Sequence, residues 1–61
     1  DRLWRAIDAL PEGARAVLTL ALEGLSHQEI AEVVGSTANS VAVRLSRART
    51  ELRARLEEGH E

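Results

Sequence analysis

The stretch "LSHQEIAEVVGSTANS", residues 25–40, restricts the fold more than any other part of the chain. Ser26 followed three residues later by Glu29 is the capping-box pattern, in which each side chain satisfies the other residue's free backbone N–H. Leu25 and Ile30 flank that pair as a hydrophobic staple. A helix is therefore expected from here, with Ile30, Ala31 and Val34 on one face. Gly35 takes a positive φ at little cost and reverses the chain. Thr37, or Ser36, then supplies the side-chain oxygen that caps a second helix. Val41, Leu45, Ala48, Leu52 and Leu56 recur at steps of four, three, four and four, which carries that helix to about Glu57. Two helices joined by a tight glycine turn are the helix-turn-helix arrangement, here over about 26–57.

The segment upstream also reads as helical. Leu3, Trp4, Ile7 and Leu10 fall at helical spacing, and Pro11 suits the first position of a second helix with Glu12 in its first turn. Ala14, Val17, Leu18, Ala21 and Leu22 make that helix's apolar stripe, and Gly24 is placed to cap its end. Leu20 lies off the stripe, where an ordinary exposed leucine is the first reading and a partner contact the second. Few residues are β-branched and Trp4 is the sole aromatic, so a sheet is disfavoured. The expected architecture is all-α: a small four-helix bundle containing a helix-turn-helix, with no wing. The 61 residues make one domain, 1–61, too small for a roomy internal active site. The chain opens on Asp1 and holds no methionine, which suggests a fragment of a longer protein. Its polar tail, Glu57 to Glu61, is expected to fray.

The net charge of −2 argues against a nucleic-acid partner, but the distribution argues for one. Residues 40–55 hold Arg44, Arg47, Arg49, Arg53 and Arg55 against Glu51 alone, a local charge of +4. All eight basic residues are arginine, whose planar fork suits phosphate and guanine. At 100° per residue, Val41, Leu45, Ala48, Leu52 and Leu56 cluster within about 60° of one direction. Asn39, Val43, Ser46, Arg47 and Thr50 fall on the opposite side, with Ser40 and Arg44 on one edge and Ala42, Arg49 and Arg53 on the other. That outward surface is small at its start and basic further on, as suits a helix entering a DNA major groove by its N-terminal end. Asn39 suits an adenine edge, Val43 a thymine methyl, and Arg47 a guanine or a phosphate.

These residues carry a family resemblance. "LPEGARAVLTLALEGLSHQEIAEVVGSTANSVAVRLSRARTELRARL", residues 10–56, resembles region 4 of bacterial sigma factors, especially of the extracytoplasmic-function type. Its most specific pieces are Leu10-Pro11, "EGLSHQEIAEVVG" and above all "SVAVRLSRARTELR". The resemblance implies that the helix-turn-helix binds the minus-35 promoter element and that another surface docks on the flap of the RNA polymerase β subunit. It makes the helix from Ala38 the recognition helix, with Thr37, Ala38, Asn39, Ser40, Ala42, Val43, Arg44, Ser46 and Arg47 as candidate DNA-binding positions. It also implies a possible anti-sigma partner and a bacterial cytoplasmic setting, which fits a chain without cysteine, signal-peptide pattern or membrane-length apolar run.

Three departures from the family's habit involve four positions. Ser36 stands where an apolar residue is usual. Ala42 and Val43 stand where relatives often carry Lys or Arg followed by Ser, which implies a different promoter preference. Arg44 occupies a site that is apolar in many helix-turn-helix proteins, with Leu45 taking over the packing, a swap typical of this sigma type. A LuxR-type DNA-binding domain shares the "GLSHQEIA" style of opening but not the "RLSRARTELRARL" ending. A helix-turn-helix used only for protein contacts is the other alternative, favoured by the net charge and Ala42. An enzyme is the least expected class: His27 and His60 lack metal-ligand spacing, Ser26 and Ser46 have no recognisable base, and no cofactor, membrane or small-molecule substrate is implied.

Overall fold

A computed structural model describes residues 1–58. Four helices occur in chain order: α1 (Arg2–Asp8), α2 (Glu12–Leu22), α3 (His27–Val34) and α4 (Ala38–Glu58). No strand is present among the described residues, so the all-α expectation holds there. At 21 residues α4 is about 31 Å long and packs against each of the other three helices. The core is small and wholly apolar: Ile7, Leu10, Val17, Leu18, Ile30, Ala31, Val41, Leu45 and Ala48.

Helix ends are closed by the residues that the local chemistry favours. Asp1 accepts the Leu3 N–H at 2.9 Å and starts α1. The end of α2 is a Schellman motif: Gly24 N–H donates to the Ala21 carbonyl at 3.0 Å and Leu25 N–H to the Leu20 carbonyl at 3.2 Å, with Gly24 at φ +98°. Ser26 N–H then donates to Glu29 Oε1 at 2.8 Å, and Glu29 N–H to Ser26 Oγ at 3.1 Å, completing the capping box. Leu25 thus serves both helices, as the residue beyond the α2 cap and as the staple position ahead of α3. The Ser26 hydrogen bonds, backbone first and side chain second, hold the Glu29 carboxyl below its usual range.

Several apolar positions sit differently from the periodic reading. Leu3 and Trp4 are 39% and 50% exposed, because α1 is only seven residues long and turns Ala6 and Ile7, near its C-terminal end, into the core. Leu10 is buried, but in the α1–α2 link rather than on the helix. Pro11 is the residue before α2, at ψ 152°, so Glu12 and not Pro11 opens that helix. Leu22 lies on the last turn of α2, where the chain leaves the bundle, and is exposed. Leu20, expected off the stripe and exposed, is half-buried against the core as part of the Schellman turn. Leu52 and Leu56 are half-buried rather than core, Leu52 packed against the edge of the core and Leu56 lining the cleft beside α1. Helix α4 continues through Glu58, so Glu57 and Glu58 are helical; the rest of the tail, including His60, lies outside the described residues.

Candidate nucleic-acid interface

The turn that aims α4 is three residues long. Gly35 sits at φ 75° and ψ 42°, and the Ser36 N–H donates to the Ala31 carbonyl at 2.9 Å, so the last turn of α3 is closed by backbone alone. A Cβ at Gly35 would meet nothing within 4 Å, so the left-handed backbone rather than space is what favours glycine there. Thr37 is the cap of α4: its Oγ1 accepts the Ser40 N–H at 3.1 Å and its carbonyl the Val41 N–H at 2.9 Å. The Thr37 hydroxyl oxygen is therefore engaged in starting the helix.

Rotation of α4 is fixed by three buried residues. Val41 and Leu45 have no exposed surface and Ala48 has 1%. Asn39, Val43, Ser46 and Arg47 consequently face outward and are exposed, and Arg44 is exposed on one flank. Ala38, Ser40 and Ala42 lie half-buried at the edges, Ala42 and Ala38 offering too little side chain to hold a ligand away from the backbone. Val43 keeps 43% of its surface, a branched apolar group standing among polar neighbours. Thr50 turns back on its own helix, its hydroxyl donating to the Ser46 carbonyl at 3.1 Å.

The arginines of α4 divide into two groups. Arg55 pairs with Glu51 at 3.0 Å, the only ion pair among the described residues. Arg44, Arg47, Arg49 and Arg53 make no hydrogen bond or ion pair among those residues, so their forks are open to solvent or to an anion. Glu51 therefore compensates the arginine furthest from the start of α4 and leaves the four nearer ones uncompensated. An exposed helix side that starts with small residues and continues with unpaired arginines suits a groove-reading helix, bases first and phosphates behind.

The family model for sigma-70 region 4 matches residues 1–52, which takes in α1, α2, α3 and α4 as far as Leu52. The chain belongs to the sigma-70 region 4 family. Region 4 is the part of a sigma factor that meets the minus-35 promoter element, and so a DNA-binding module of transcription initiation rather than a catalytic one. No curated protein and no solved structure matches the chain significantly. Among the described residues no group of three or more His, Cys, Asp or Glu could hold a metal ion, and no helix is long and apolar enough to cross a membrane.

Capping at Thr37 and the apolar edge formed by Ala42 with Val43 shape this region-4 surface in different ways. The first sets where the helix begins. The second leaves the outward stretch after Ser40 without a charged side chain until Arg44. The half-burial of Ser36 and the engagement of the Thr50 hydroxyl were not deducible from periodicity, because both depend on backbone hydrogen bonding rather than on which face a residue occupies.

Proposed function

We propose that this region 4 belongs to a sigma factor of the extracytoplasmic-function type and reads its minus-35 element with the outward side of α4. Asn39, Val43, Ser46 and Arg47 meet base edges, with Ser40, Ala38 and Ala42 admitting the backbone close to the groove floor. Thr37 lends its position at the helix start, and Arg44, Arg49 and Arg53 meet phosphates on either flank. Val43 favours a thymine methyl where a Ser in relatives would favour a hydrogen-bonding edge. The observation that carries this reading is the set of four unpaired arginines beside an outward row of small and polar residues on one helix.

The polymerase partner requires a second surface. Ala16, Leu20, Val33 and Val34 line an open apolar depression of about 470 Å³ between α2 and α3, flanked by Glu12 and Arg15. Val33, 64% exposed, is the most accessible large apolar side chain on it. This depression includes no residue of α4, and we assign it to the flap of the polymerase β subunit. An anti-sigma protein covering either surface would silence the factor, and the bacterial cytoplasm is the setting in which both partners occur.

Selection of bound duplexes from a random pool by the holoenzyme tests the reading. A minus-35 preference that changes on Val43 or Asn39 exchange and weakens without changing on Arg49→Ala supports it. A preference indifferent to Val43, Asn39 and Arg47 would refute the assignment. The net charge of −2 favours a contrary reading in which the domain binds only proteins; DNA binding then would be absent at low salt, whereas counterion release demands that real binding weaken steeply as salt rises.

A further inference from the structure

The far end of α4 and the outer side of α1 form a second basic feature, separate from the promoter-facing side. Arg2, Arg5 and Ala6 of α1 and Ala9, the residue that caps its end, follow one another at steps of three, one and three, a single helix face. Together with Arg55 and Leu56 of α4, and with Glu58 beside them, they line an open cleft of about 500 Å³. Three guanidinium groups thus share one cleft in a chain whose net charge is −2.

Two of the three arginines are held in place. Arg2 Nη2 donates to the Leu56 carbonyl at 2.8 Å, tying the start of α1 to the end of α4. Arg55 Nη2 donates to Glu51 Oε2 at 3.0 Å. The Nε of Arg55 is nevertheless buried with no acceptor among the described residues, an unusual state for a donor in a folded protein. Arg5 makes no hydrogen bond or ion pair among those residues. The cleft therefore combines two anchored cations, Arg2 and Arg55, with an uncommitted one, Arg5, beside the apolar groups of Ala6, Ala9 and Leu56.

We infer that this cleft binds an acidic segment of a protein partner, with side-chain carboxylates on Arg5 and Arg55 and aliphatic stems against Ala6, Ala9 and Leu56. The guanidinium fork matches a carboxylate in a two-bond geometry, and the alanines leave depth for a chain to lie between the helices. Nucleic acid fits worse. A phosphate backbone is a continuous line of charge and would meet Glu51 and Glu58 as well as the arginines. Arg55 also lies about 12 Å along the axis beyond Arg47 and about 120° round the helix from Val43, away from a duplex held by the start of α4. Only this last point leans on the promoter reading.

Trp4, the sole tryptophan, stands next to Arg5 on α1 and is half exposed, which makes its emission a built-in reporter. The experiment titrates the 61-residue chain with a short synthetic peptide of repeating Glu-Ala-Leu-Glu units, following Trp4 fluorescence and backbone amide shifts. Saturable binding is expected, with shifts confined to α1 and the last two turns of α4 and an affinity that falls as salt is raised. Arg5→Ala and Arg55→Ala are each expected to weaken it about tenfold, the loss of one charge-assisted contact. Arg47→Ala is expected to bind the peptide as the parent does while losing promoter affinity, so the two surfaces fail separately. Arg5→Gln, which keeps the stem without the charge, stands in should Arg5→Ala disturb folding. The inference is overturned by absence of saturable binding, by shifts centred on the start of α4, by equal response to inorganic phosphate at the same concentration, or by displacement of the peptide from α1 by a DNA duplex.

Discussion

The two halves of α4 do different work although the sequence runs through them with one unbroken apolar period. From Ala38 to Ala48 the helix buries Val41, Leu45 and Ala48 almost completely, begins at a side-chain cap and leaves its arginines unpaired. From Arg49 to Glu58 it buries nothing fully; Leu52 and Leu56 are half covered, Arg55 is paired with Glu51, and Arg2 of α1 bonds the Leu56 carbonyl. Full burial on one side is what makes the opposite side a defined surface. Where burial is partial, the same helix is covered on one flank by α1, which is tied to it through the Arg2–Leu56 hydrogen bond.

Truncation of the leucines breaks this comparison most severely. Leu45→Ala should cost about 2–5 kcal/mol, because a fully enclosed side chain leaves a cavity. A 61-residue domain holds only about 3–9 kcal/mol in total, so the variant is expected to be largely unfolded by circular dichroism at 37 °C. Leu52→Ala, at a half-covered site, should cost clearly less and leave a cooperative thermal transition. Equal losses would mean that the halves do not differ. Arg47→Ala sharpens the contrast from the other side: promoter-duplex affinity should fall by about 1–3 kcal/mol with an unchanged melting temperature.

Smaller effects probe how the motif is aimed. Ser26→Ala removes one side of the capping box and should lower stability by about 1 kcal/mol, read from denaturant midpoints. Glu29 adds a pH dependence of known sign. Its carboxyl is held below the usual range in the folded state, so its contribution is complete above that range and is lost as the pH falls through the folded-state value. Comparison of the parent with Glu29→Gln in acid titrations should show the difference shrinking as pH drops; a growing difference would contradict the hydrogen bonds at Ser26. Smallest of all, Glu51→Gln should change stability by only about 0.3–0.5 kcal/mol, since the Arg55 pair is partly solvated. It should leave promoter affinity level or slightly raised, because the arginines nearer the start of α4 never depended on Glu51.

What could be read from the sequence was whatever one helix or one turn decides by itself. The Ser26–Glu29 box, the glycines at 24 and 35, the Thr37 cap and the outward row of Asn39, Val43, Ser46 and Arg47 are local, and the structure has each of them as expected. What escaped was the reach of one element over another. Leu3 and Trp4 have helical spacing, yet the first turn of α1 meets α4 through Arg2 and leaves these two side chains exposed. Leu20 looked spare because it is matched with Leu25 through a five-residue turn, a separation that no helical period contains. Leu56 belongs to the stripe by angle but overhangs the core by distance. The cleft of Arg2, Arg5 and Arg55 joins residues fifty or more positions apart and leaves no local pattern at all.

The central claim is that the outward side of the first half of α4 holds the promoter. Titration of the chain with a duplex selected by the holoenzyme, followed by methyl, side-chain amide and backbone resonances, tests it most directly. Shifts at the Val43 methyls, the Asn39 side-chain amide and the backbone of Ser46 and Arg47, with α1 unchanged, are the expected result. Shifts gathered on α1 or α2 while Val43 and Asn39 stay as in the free protein would contradict it.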